Sequence, residues 1–106
     1  VKTVWVSYTS IDAPALTLTF AAGTGTGNTK TTVTPSATGN TFAYSKTTSA
    51  VTGVQFNAIP TGLTAYTSGA DIAVAATDYV NMYELDAYGH VVKFVSHDMV
   101  TGEISA

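Results

Sequence analysis

The run Leu16-Thr17-Leu18-Thr19-Phe20 alternates apolar and hydroxyl side chains, and a period of two sends the two sets to opposite faces of an extended strand. The same period returns along most of the chain. Thr, Val and aromatic residues fill the runs, while Gly, Pro, Asn and Ser punctuate them, which is the pattern of half-buried antiparallel strands. No segment carries a helical period. Strands are predicted over residues 2–8, 15–22, 29–35, 41–46, 79–85 and 90–97, and an apolar segment over 51–59 ends at Pro60 and Gly62. Residues 71–76 read as a short strand or an irregular crossing, and 102–105 either pair at an edge or stay mobile. Seven or so short strands without helices define an all-β class, a small antiparallel β-sandwich of immunoglobulin-like type. Its hallmark cysteine pair is missing, because the chain has no Cys.

Two connections carry chemical arguments. In Asp86-Ala87-Tyr88-Gly89, Asp at the first turn position can accept from the turn backbone and Gly at the fourth can take a left-handed conformation, so 79–85 and 90–97 form a hairpin. Asp86 and Gly89 are its structural residues. The run Gly23-Thr24-Gly25-Thr26-Gly27 invites comparison with a phosphate loop, but such loops open a helix, whereas residues 29–35 read as a strand. A flexible inter-strand loop is the expectation.

Charge decides which function classes survive. Residues 13–70 contain no acid and only Lys30 and Lys46, and the 106 residues hold four Lys, no Arg and twenty Thr. Charged residues make up 10%, well under the roughly 25% of ordinary soluble domains, so hydroxyls and amides must hydrate the surface. A net charge of −3 without a basic cluster excludes a nucleic-acid partner. No apolar run is long enough to insert in a membrane as a helix, and without Cys there is no thiolate chemistry. One domain spanning 1–106 is expected, in an extracellular setting, at a cell surface or on a virion.

The acids lie at Asp12 and beyond Ala70. Glu84 and Asp86, two apart, would sit about 7 Å from each other and resemble a glycosidase pair in spacing alone. Asp86 already has a turn role, no Gly-x-Ser-x-Gly elbow or calcium-loop spacing occurs, and His90 and His97 fall on opposite faces as surface or turn residues. No spacing among the Lys and Asn residues selects a covalent Lys–Asn crosslink. No catalytic residue, metal ligand or cofactor is therefore assigned. Tyr66, Tyr79, Tyr83 and Tyr88 are candidates for a glycan or partner contact, with core packing as the plainer account. In 79–85 both alternating sets are largely apolar, so the face turned away from the core needs cover from the same chain or from a neighbour.

From Gly27 onward the chain resembles an immunoglobulin-like repeat found in phage head-fibre and decoration modules and in surface-layer and cell-wall proteins of Gram-positive bacteria. The residues that carry the resemblance are Gly27-Asn28-Thr29-Lys30 leading to Val33-Thr34-Pro35, and Gly39-Asn40 before Phe42 and Tyr44. Tyr66-Thr67-Ser68-Gly69 with Asp71-Ile72, and 84–89 leading into Val91-Val92-Lys93, complete it. Leu63 stands where the pattern has Trp, and the leading 1–22 lies outside the resemblance, which spans 23–106. The resemblance implies a fold and a setting and brings no catalytic residues. The leading segment would add strands to its own sandwich or donate them to a neighbour. Sequence and resemblance together point to a non-enzymatic structural protein that forms or decorates an extracellular assembly, virion, fibre or surface layer, through strand edges and sheet faces. Its partner is a second copy or another structural protein. The alternative is a carbohydrate-binding adhesin.

Overall fold

The computed structural model describes residues 11–106, so the strand expected over 2–8 lies outside the described residues. Seven strands form two antiparallel sheets: β1 (Phe20–Ala22), β2 (Asn28–Thr31), β3 (Thr41–Thr47), β4 (Thr64–Tyr66), β5 (Ile72–Ala73), β6 (Tyr79–Leu85) and β7 (Val91–Asp98). A short 3-10 helix, Thr101–Glu103, comes after them. One sheet has the order β1-β2-β5 and the other β4-β3-β6-β7. This is an immunoglobulin-like sandwich in which the fourth strand has moved to the edge of the second sheet.

The alternation at 15–22 buries as its period demands, with Leu16 and Phe20 in the core, Leu18 packed against it, and Thr17 and Thr19 exposed. Its pairing is less regular than expected. The Leu16 N–H donates to Phe94 O at 3.0 Å and Pro14 O accepts from the Phe94 N–H at 3.1 Å, whereas Phe20–Ala22 pairs with β2. This segment thus starts against one sheet and ends in the other, and only its last three residues are a strand. Leu16 and Phe20 join Val33, Phe42, Tyr66, Ile72, Val80, Met82 and Met99 in a single core cluster between the sheets.

One expected extent is corrected. The apolar segment at 51–59 forms no strand, because Gly53 (φ 74°) and Asn57 (φ 66°) break the extended backbone and only Gln55 bridges, to Asp12. The strand expected to Pro35 stops at Thr31, and the next inward residue, Val33, gives its N–H to Ser68 Oγ at 3.0 Å instead of to a neighbouring strand. By contrast, β6 has the expected limits, and the outer face of that strand is covered by the chain itself. There Asn81 is fully buried, donating to Ser45 Oγ and Thr47 Oγ1 and accepting from Ser96 Oγ at 2.6 Å. Ser96 Oγ in turn accepts from the Val51 N–H. Tyr83 beside it packs on Phe94 with ring centroids 4.7 Å apart.

The sheets are tied where the chain crosses between them after β4. The Tyr66 hydroxyl accepts from the Thr31 N–H at 3.1 Å and lies 2.7 Å from Ala70 O and 3.0 Å from Thr31 O, so its one proton serves two carbonyls. Burial pushes the phenol above its ordinary pKa. Tyr66→Phe removes this partner from the Thr31 N–H and Ala70 O, while Thr31 O keeps the Gly69 N–H at 2.9 Å, and urea unfolding should show a loss of about 1–3 kcal/mol with an unchanged denaturant slope.

Candidate functional site

Glu84 is the polar residue that the strand pattern sends inward, on the same face of β6 as Val80 and Met82. Its side chain is fully buried. Oε2 accepts from the Ser36 N–H and Ser36 Oγ, both at 2.7 Å, and from Asn40 Nδ2 at 2.8 Å, while Oε1 is buried without a partner. Burial works against the charge. The donors on Asn40 and Ser36, helped by Lys93 directly across the hairpin, outweigh it and hold the carboxyl below its ordinary range. Three donors from one loop converge on one oxygen, so Glu84 fastens the 32–40 connection to the second sheet. It is bound as an anchor, whereas a catalytic acid is kept protonated by its surroundings.

Asp71 and Asp86 are engaged in a similar way. Asp71 accepts from the N–H groups of Thr24 (2.8 Å) and Gly25 (3.0 Å) and from Asn28 Nδ2 (3.2 Å). Those two backbone N–H groups are the main cause of its lowered pKa. The glycine run expected to be a flexible inter-strand loop is therefore pinned by the protein's own anion. A Cβ on Gly23 would lie 2.7 Å from Asn28 Cβ and 2.8 Å from Asp71 Oδ1, which is why a side chain does not fit there.

Asp86 sits in the hairpin turn as its sequence position predicts. Oδ1 accepts from the N–H groups of His90 and Tyr88, both at 2.9 Å, and Gly89 takes φ 84°. The His90 N–H leads in holding the Asp86 carboxyl below its usual range. Glu84 points into the sandwich and Asp86 into its own turn, so they do not form a working pair. His97, expected at the surface, is half-buried between the sheets. Its ring stacks on Phe20 with centroids 4.5 Å apart, and Nε2 lies 2.8 Å from Glu103 Oε1.

The four candidate tyrosines do not converge on one platform. Tyr66 and Tyr83 are 8% and 7% exposed, and Tyr79 is half-buried, whereas Tyr88 stands 84% exposed at the hairpin tip. Two surface depressions of about 240 and 270 Å³ are lined without any carboxylate or histidine. Among the described residues no three His, Asp or Glu side chains cluster as metal ligands. No helix among them is long and apolar enough to cross a membrane. Sequence reasoning missed Glu84 as an anchor and Asn81 as a buried bridge; their signal was a polar residue at an inward or covered position of an otherwise apolar strand.

Fold and side chains together define an immunoglobulin-like β-sandwich module whose buried polar groups tie loops and sheets. The chain belongs to the S-layer protein SbsC C-terminal domain family, whose model matches residues 21–101. It is similar to the crystal structure of the S-layer protein SbsC, domains 7, 8 and 9 (TM-score 0.75, 23% identity), covering 92% of this chain and 31% of that one. It is also similar to the structure of surface layer protein SbsC, domains 4-9 (TM-score 0.71, 23% identity), covering 90% of this chain and 15% of that one. This chain therefore spans less than a third of the length of either solved protein. No curated protein sequence is significantly similar to it.

An acid bound more tightly in the folded state stabilises the fold above its ordinary pKa, and that contribution is lost as pH falls through the lower folded-state value. Glu84→Gln should cost about 1–3 kcal/mol at neutral pH and flatten the acid side of the stability profile. Urea unfolding from neutral pH down to about pH 3 checks this, and an acid limb identical to wild type would count against the anchor.

Proposed function

We propose that this chain is a non-enzymatic structural module of a cell-surface protein layer. The observation that carries the reading is the family match over 21–101, joined to a described surface with little charge on which Asp71, Glu84 and Asp86 are given over to internal ties. Among the virion, fibre and surface layer that the sequence allows, the family favours the surface layer. Low charge suits it physically. Modules packed into a sheet at high local density must avoid like-charge repulsion, and Thr hydroxyls hydrate the faces left open without adding charge.

Association through sheet edges and faces, and a location outside the cell, go with this reading. An adhesin role would rest on Tyr88 alone, since the remaining candidate tyrosines are buried or half-buried. Antibody against this module should label intact source cells, and the labelled polypeptide should leave the surface with a chaotrope and return as ordered sheets on dialysis. Labelling only after the cells are made permeable would overturn the proposal.

A further inference from the structure

The outer strand of a sheet has backbone N–H and C=O groups without a partner on one side, and folded chains guard such edges with a charge, a cover or a neighbouring element. Three of the four outer strands here are guarded. β7 is met by Pro14 and Leu16 at Phe94 and by Asn57 and Ala58 at Val91. On β5, Ala73 O accepts from Lys46 Nζ at 2.6 Å, and β1 lies beside the 3-10 helix. β4 has no such guard. Among the described residues, the main chain of Thr64–Tyr66 pairs with β3 and no other hydrogen bond reaches it. Thr64 and Ala65 are exposed, and residues 47–70 contain no charged side chain. The first described residues are bonded at the other end of this sheet, on the β7 side.

Two further features define what fits the edge. Gly62 (φ 74°) and Gly69 (φ 81°) turn the chain away on either side, so the extended run is confined to residues 63–67, with the small Ala65 at its centre. Beside that run opens the depression of about 270 Å³, lined by Val33, Phe42 and Tyr66 from the core side together with Thr67.

We propose that the β4 edge is an interaction surface for the β4 edge of a second copy of this chain, paired antiparallel about Ala65. The inference rests on the surface-layer reading and deepens it by naming the edge and its partner. Three observations select this occupant. An edge without charge does not repel its own copy and gives a charged partner nothing to pair with. Centring on Ala65 brings the two backbones together over the smallest side chain of the run, and the flanking turns allow little slip. The same register sets Thr64 of each copy opposite Tyr66 of the other and on the same face, over the depression that Tyr66 lines, so each copy supplies both halves of the contact. Such a contact closes as a two-fold pair and joins the two four-stranded sheets into one. It buries well under about 1,000 Å², so it is weak singly and gains strength where many copies stand side by side.

Disulfide trapping tests this, because the chain has no Cys of its own. Opposed residues of an antiparallel pair have Cα atoms about 4.5–5.5 Å apart, within the span of a disulfide. In a glutathione redox buffer at about 100 µM protein, Ala65→Cys should form covalent dimers at least about tenfold faster than either of two controls. One is Thr67→Cys, whose two copies would lie about 13 Å apart along the pair; the other is Ala21→Cys, on the edge strand β1. Adding Thr64→Lys to Ala65→Cys should bring its rate down to that of the controls. All four positions are exposed, and the reduced variants should melt as wild type does. Equal rates at the three cysteine positions overturn the proposal, and so does undiminished trapping in the presence of Thr64→Lys. Surface labelling reads the parent proposal separately: a labelled layer with equal trapping rates removes only the β4 contact, and fast trapping at Ala65→Cys with unlabelled cells removes only the setting.

Discussion

The Tyr66 hydroxyl holds the point on which the sandwich turns. Two three-dimensional facts meet there: β4 ends at Tyr66 in the second sheet, and the chain must then cross to reach β5 in the first. A crossing segment exposes backbone groups that neither sheet satisfies, and burying them unpaired is costly. The phenol answers for the C=O of Ala70 in the crossing and for the N–H and C=O of Thr31 at the end of β2, from within the core cluster. Gly69 N–H to Thr31 O and Val33 N–H to Ser68 Oγ complete the seam. The fourth strand can therefore leave the first sheet without leaving a hole between the two.

The same device recurs wherever a loop has no strand to lean on. Glu84 gathers the 32–40 connection, Asp71 the glycine turn, Asp86 the hairpin, and Asn81 joins β3, β6 and β7 under the 51–58 segment. A domain without disulfides has to gain rigidity from packing and from such bonds. Charge-assisted hydrogen bonds are stronger than neutral ones, so a few acids placed at loop junctions go far. Their engagement is also what leaves the surface plain. Carboxylates committed to backbone donors are poorly suited to proton transfer.

Entry and exit at opposite ends arise from the same architecture. The described chain enters beside the hairpin and leaves at the far end because β7, the last strand, runs from the hairpin toward Met99. Edges are kept small: β7 is partly covered by residues 14–16 and 57–58, while β1, β4 and β5 are only two or three residues long. Short and covered edges discourage indiscriminate strand pairing.

Much of this was legible in the sequence because it is local. Period-two alternation carried β3, β6 and β7, and the inward face of 15–22, since side-chain direction depends only on an extended backbone. Asp86 and Gly89 announced their turn because its hydrogen bonds close within five residues. Other features were decided by residues distant in sequence. Residues 51–59 read as an apolar segment, and they kink at Gly53 and Asn57 and find only an irregular partner. Tyr66 and Tyr83 stood as candidate contacts with core packing as the plainer account, and strands from elsewhere in the chain bury them. The sequence by itself determined a low-charge, all-β chain and the faces of its best strands. Only the tertiary structure decided which polar groups are engaged inside and which apolar ones remain exposed, because burial is set by what packs on a residue and not by its neighbours in sequence.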